Sequence, residues 1–172
     1  MAQRKKVAIL IEDQYQVLEV WYPILRFKES QIETRTIGTG TKETYGSKEG
    51  YPVKADLSIE QANTKDFDAV MIPGGFAPDF MRRHPKMALF VRQMHDEGKI
   101  VAAICHGGWM LVSAGILKGR KATSFFAIKD DLIAAGAKWV DEEVVVDKNL
   151  ITSRKPEDLT AFVGEIIKGL KG

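Results

Sequence analysis

The chain has 172 residues, 45% of them hydrophobic and 28% charged, and a formal net charge of +2. That length suits a single core, and so balanced a charge leaves no broad basic footprint for nucleic acid. One cysteine excludes an internal disulfide, and no apolar run approaches the ~20 residues that cross a membrane.

In chain order, Arg4-Lys5-Lys6 reads as a solvated lead-in to the apolar run 7–11, which has the β-branched content of a strand buried on both faces. The run is too short for a signal-peptide core and meets Glu12 and Asp13 at once, so a reduced, cytoplasmic protein is expected. Val17, Leu18, Val20, Trp21, Ile24, Leu25 and Phe27 recur at spacings of three and four, predicting a helix to about Glu29 that Pro23 should kink or interrupt. Residues 32–37 alternate as a second strand, and Gly38, Gly40, Gly46 and Gly50 then punctuate a loop-rich stretch with room for a small hairpin. A third strand, 67–72, runs into Pro73-Gly74-Gly75; a helix spans 85–97, and a fourth strand 100–104.

Beyond the cysteine, residues 109–114 form a short buried helix ended by Gly115. Residues 121–124 read as a strand, 128–135 as a helix stopped by Gly136, and 144–146 with 150–152 as a pair joined through Asp147-Lys148-Asn149. A final amphipathic helix begins near Pro156. Strands alternating with helices argue for a mainly parallel sheet covered on both faces, with functional groups at the carboxyl ends of its strands. With no repeat or linker, residues 1–172 read as one domain.

Cys105 stands where the fourth strand meets a helix, followed by His106, Gly107 and Gly108. Unpaired amides and the positive end of the helix dipole favour a thiolate there, so Cys105 is a candidate nucleophile; a free cysteine also packs as a small apolar residue. His106 is a candidate base, and its backbone amide, with that of Gly75, a candidate oxyanion-hole donor. Loop closure alone would equally explain Gly74 and Gly75. Glu19 lies between Leu18 and Val20 in an apolar stretch. If buried, it would hold its proton and could hydrogen-bond a thiolate; if solvent-facing, it is ordinary polar surface. His84, His95 and His106 lie eleven residues apart but share no helical face and have no acidic or second-cysteine partner, so no metal site and no cofactor is expected.

The Cys-His-Gly turn at 105–107, Pro-Gly-Gly-Phe-Ala-Pro-Asp at 73–79, Ile-Lys-Asp-Asp at 128–131, Glu-Val-Val-Val-Asp at 143–147 and Thr-Ser-Arg at 152–154 together resemble the PfpI-type intracellular protease family. The likeness covers nearly the whole chain. It implies a flavodoxin-like fold of the class I glutamine amidotransferase-like group, whose members include glyoxalases, deglycases, peptidases and redox-responsive chaperones. By that resemblance Cys105 is the nucleophile at the elbow, Glu19 the buried glutamate beside it, and His106 the histidine of a triad. Asp79 matches an acid that an adjacent subunit supplies in the family's peptidases, which implies a homo-oligomer, a dimer or a hexamer. Four positions depart from the pattern: Asp79 replaces a frequent glutamate, Gly108-Trp109 a frequent Pro-Gln, and Phe125 an occasional tyrosine. Trp109 and Phe125 are therefore expected to shape a pocket for small or apolar substrates.

The expected activity is cofactor-independent, cysteine-dependent chemistry on a small carbonyl compound, of deglycase or glyoxalase type. A cysteine peptidase acting on peptides is the first rival, and a redox-sensing stress protein or chaperone without enzymatic activity the second. Neither nucleic acid nor a membrane is an expected partner.

Overall fold

A computed structural model describes residues 4–172. The predicted first strand forms as β1 (Lys6–Ile11) and the predicted helix as α1 (Val17–Glu29). Pro23 does not interrupt α1. It lies on the buried face with Val20 and Phe27, where packing outweighs the one backbone bond that its missing N–H removes. After β2 (Glu33–Gly38), the glycine-rich stretch holds an antiparallel hairpin, β3 (Thr44–Gly46) with β4 (Pro52–Lys54), and then β5 (Leu57–Ser58), a short edge strand paired to β2.

The next unit is β6 (Ala69–Ile72), the short helix α2 (Ala77–Arg82), α3 (Pro85–Asp96) and β7 (Ile100–Ile104). A 3-10 turn over Cys105–Gly107 leads into α4 (Gly108–Ala114), which Gly115 ends in the left-handed conformation. Then come β8 (Lys121–Ala122), α5 (Lys129–Ala134) and β9 (Lys138–Trp139), the last pairing in parallel with β8. The hairpin β10 (Val144–Asp147) and β11 (Leu150–Ser153) turns through Lys148, and α6 (Leu159–Lys171) closes the chain.

The main sheet runs β10-β11-β7-β6-β1-β2-β5, parallel except for β10. Every residue of β6 and all but the first of β1 and β7 are buried, as befits strands covered on both sides. α1 packs with α6 in one layer, and α2, α3 and α4 pack together in the other. From β1 the chain moves outward to β2 and β5, then returns to the opposite side of β1 as β6. That reversal opens a crevice at the carboxyl ends of β1 and β6, the usual ligand position in such sheets. Ile72 pairs with Ala103, so Pro73-Gly74 and Cys105 leave the sheet side by side. No helix among the described residues is long and apolar enough to cross a membrane.

Candidate active site

Cys105 follows β7 directly with φ 59°, a left-handed backbone uncommon for a residue with a side chain. The sharp turn tips the thiol out of the strand line and toward β6. Gly74 receives it: a Cβ at that position would lie 2.7 Å from Cys105 Cβ, 2.9 Å from its Sγ and 2.7 Å from Glu19 Oε2. All are far inside van der Waals contact, so the absence of a side chain at 74 is what lets carboxyl and sulfur meet. Gly75 follows with φ 72°, and it bridges Tyr15 across the crevice.

Glu19 comes to this point from the first turn of α1, whose N-cap Gln16 accepts from the Glu19 N–H at 3.0 Å. Its side chain is fully buried, which decides between the two readings of the sequence. Oε2 accepts the Gly74 N–H at 2.6 Å, while Oε1 has no hydrogen-bond partner. The Cys105 thiol is the polar group against this carboxyl. Burial pushes Glu19 up to about 8, against the pull of the Gly74 N–H and the thiol, so at neutral pH the carboxyl keeps its proton.

Burial also pushes the Cys105 thiol up to about 12, with the negative charge of Glu19 adding to the rise and the N–H groups of His106 and Gly75 opposing it. The thiolate expected to stand ready at the elbow is therefore corrected: eight per cent exposure and an acidic neighbour outweigh the helix end. Carboxyl and thiol form one coupled acid. The first proton is lost by the pair as a unit, and the resulting charge is shared between the carboxyl and the sulfur, toward which two backbone N–H groups point. The two amides expected to form an oxyanion hole thus point at the sulfur itself.

The His106 ring does reach its neighbour, with Nδ1 3.3 Å from Sγ. It stacks on Phe125 at 5.0 Å between centroids and meets Trp109 edge-on at 5.1 Å. Burial, followed by the Lys48 charge, lowers its pKa, favouring neutral imidazole. Phe125 is tied to the elbow by its N–H, 3.3 Å from the Cys105 carbonyl. Trp109 donates from Nε1 to Asp131 Oδ2 at 2.9 Å.

Asp79 is not brought to His106 within the chain. It lies on α2, paired with Arg83, and among the described residues it makes no hydrogen bond to the imidazole. Lys48 is a charged neighbour of the site that the sequence did not single out. Its N–H donates to the Tyr15 carbonyl at 3.0 Å, beside the Tyr15–Gly75 bridge, and its charge acts on both Glu19 and His106. His84 caps α3 and His95 lies in the last turn of that helix, away from the cysteine.

A family profile described as DJ-1/PfpI matches residues 5–169. A protein of Pyrococcus horikoshii named as a deglycase is 46% identical over 166 residues, covering 96% of this chain and 99% of that one. A Bacillus subtilis protein, provisionally named as a cysteine protease, is 39% identical over 167 residues, covering 97% and 99%. Among solved structures, a two-domain protein of Anabaena variabilis with DJ-1/ThiJ/PfpI-like and ferritin-like domains matches with a TM-score of 0.95 and 44% identity. The match covers 98% of this chain and 48% of that one. With a profile and close relatives spanning nearly its whole length, the chain belongs to the DJ-1/PfpI family.

Proposed function

We propose that this protein is a cysteine-dependent enzyme acting on 2-oxoaldehydes and on the adducts they form with amines. One observation carries this reading: Gly74 lets a protonated Glu19 carboxyl lie against Cys105 Sγ, pairing a nucleophile with a group able to give and take protons at adjacent carbons. The Pyrococcus horikoshii relative named as a deglycase supports it.

In the single anion of the pair, sulfur adds to the aldehyde carbon, the carbonyl π electrons move to oxygen, and Glu19 supplies the proton. With an amine adduct, the C–S bond forms as the C–N bond breaks, and the Glu19 proton leaves on the amine. Both routes give the same hemithioacetal and a Glu19 carboxylate. That carboxylate removes the hydrogen on the sulfur-bearing carbon, the electron pair forms a carbon–carbon double bond, and the hydroxyl proton of the hemithioacetal moves to the former ketone oxygen. Glu19 then returns its proton to the carbon bearing that oxygen as the thioester carbonyl forms at the other, which gives a 2-hydroxy thioester. Water cleaves the thioester to a 2-hydroxy acid, restoring the thiol. The N–H groups of His106 and Gly75 stabilise the sulfur anion at the start.

Peptide cleavage is the second reading, favoured by the contact of His106 Nδ1 with Sγ. The deciding experiment incubates wild type, Cys105→Ser and Glu19→Gln with methylglyoxal, with methylglyoxal-treated Nα-acetyl-lysine and with an unfolded protein. Lactate and free amine from wild type alone are expected. Equal lactate from wild type and Cys105→Ser overturns the proposal, and peptide release without lactate favours the second reading.

A further inference from the structure

Trp109 has two sides. One edge meets His106, which touches the nucleophile; the other lines a surface groove between α2, α4 and α5. Its remaining walls are Arg82, Val112, Asp131, Ala134 and Ala135. Two aromatic rings, those of His106 and Trp109, separate the groove from the catalytic sulfur, and nothing in the chemistry above uses it.

Two charged groups stand unfinished along it. Arg82 gives Nε–H to Ser113 Oγ at 3.0 Å, and its guanidinium carbon lies 5.8 Å from the centre of the Trp109 ring. Its two terminal NH₂ groups have no protein partner among the described residues, which leaves free the part of the fork that matches a carboxylate. Across the groove, Asp131 spends Oδ2 on the Trp109 indole N–H and has Oδ1 free to accept. Val112, Ala134 and Ala135 provide a small apolar floor.

We infer that this groove is the subsite for the amine half of the substrate, with a carboxylate of the amino acid held by Arg82 and an N–H of that residue by Asp131. Lysine suits the arrangement: its flexible four-carbon stem can run past His106 and Trp109 while the far end lies between the two charges. Free methylglyoxal leaves the groove empty, so occupancy separates adduct cleavage from turnover of the free dicarbonyl. This assignment rests on the carbonyl chemistry proposed above.

The test compares methylglyoxal adducts of Nα-acetyl-lysine and Nα-acetyl-lysinamide, which differ by one carboxylate. For wild type the acid is expected to be favoured about tenfold in kcat/KM through a lower KM, the size of one charge-assisted hydrogen bond. Arg82→Gln should bring the ratio close to one, and Arg82→Lys should recover part of it. A ratio near one in wild type, or one that survives Arg82→Gln, overturns the assignment.

A second arm needs no turnover. Unmodified Nα-acetyl-lysine is titrated into Cys105→Ser while the Trp109 indole N–H resonance is followed by NMR. A saturable shift with the acid and not the amide supports the groove even if no lactate is ever formed, in which case the carbonyl chemistry alone fails. No shift, with lactate produced from methylglyoxal, leaves the chemistry standing and removes the subsite.

Discussion

Replacing Glu19 by glutamine gives an uncharged group of the same shape that can still accept from Gly74, so the two proteins differ in the titration of the Glu19–Cys105 pair. In the folded chain the Glu19–Cys105 pair loses its first proton near 8, against 4.5 for a free glutamate side chain. The folded state thus binds this proton more tightly than the unfolded chain. The resulting stability is fully present below pH 4.5 and is lost as pH rises through about 8. That difference corresponds to several kcal/mol, at about 1.4 kcal/mol for each tenfold change in proton affinity. Glu19 is fully buried, so solvent screening does not reduce that figure. Urea unfolding of both proteins, reduced, at intervals between pH 4.5 and 8 measures the difference directly, because every titrating group outside the Glu19–Cys105 pair is common to both. Glu19→Gln should gain on wild type by several kcal/mol across this window. Parallel stability curves, within 1 kcal/mol, would refute the claim that the folded protein holds this proton.

The same coupled acid sets the reactivity of the sulfur. Alkylation of Cys105 by iodoacetamide should rise through an apparent pKa near 8, the first ionisation of the pair; a rate already flat from pH 6 would restore the standing thiolate. Gly74→Ala places a methyl group within 2.9 Å of the sulfur and the carboxyl oxygen. It should destabilise the fold by about 1–3 kcal/mol and slow alkylation at least severalfold. An alanine variant of wild-type stability and reactivity would show that the approach at 74 is looser than described.

Much of the architecture was legible because hydrophobic periodicity reports burial directly. The apolar runs at β1, β6 and β7, the helical spacing of α1 and α6, and Pro85 and Gly98 at the ends of α3 are local signals, and each element formed. α2 escaped because Ala77–Arg82 is too short to show a period, and β9 because two residues carry no alternation. Pro23 misled because its cost depends on what packs against it. At the site, position was readable and protonation was not. Cys105 and its turn lie in consecutive residues, but the state of the thiol depends on a carboxylate 86 residues earlier and on how completely both are shielded from water. Lys48 gave no signal because only the path of the chain past Tyr15 brings it near.

The left-handed backbone at Cys105 has an evolutionary side. A cysteine held at that angle forfeits about 1–2 kcal/mol that glycine would recover. Drift toward a sturdier protein would therefore run through loss of its only thiol. A lineage that keeps cysteine here, despite so short a mutational path to a more robust catalytic corpse, is selected for chemistry rather than endurance.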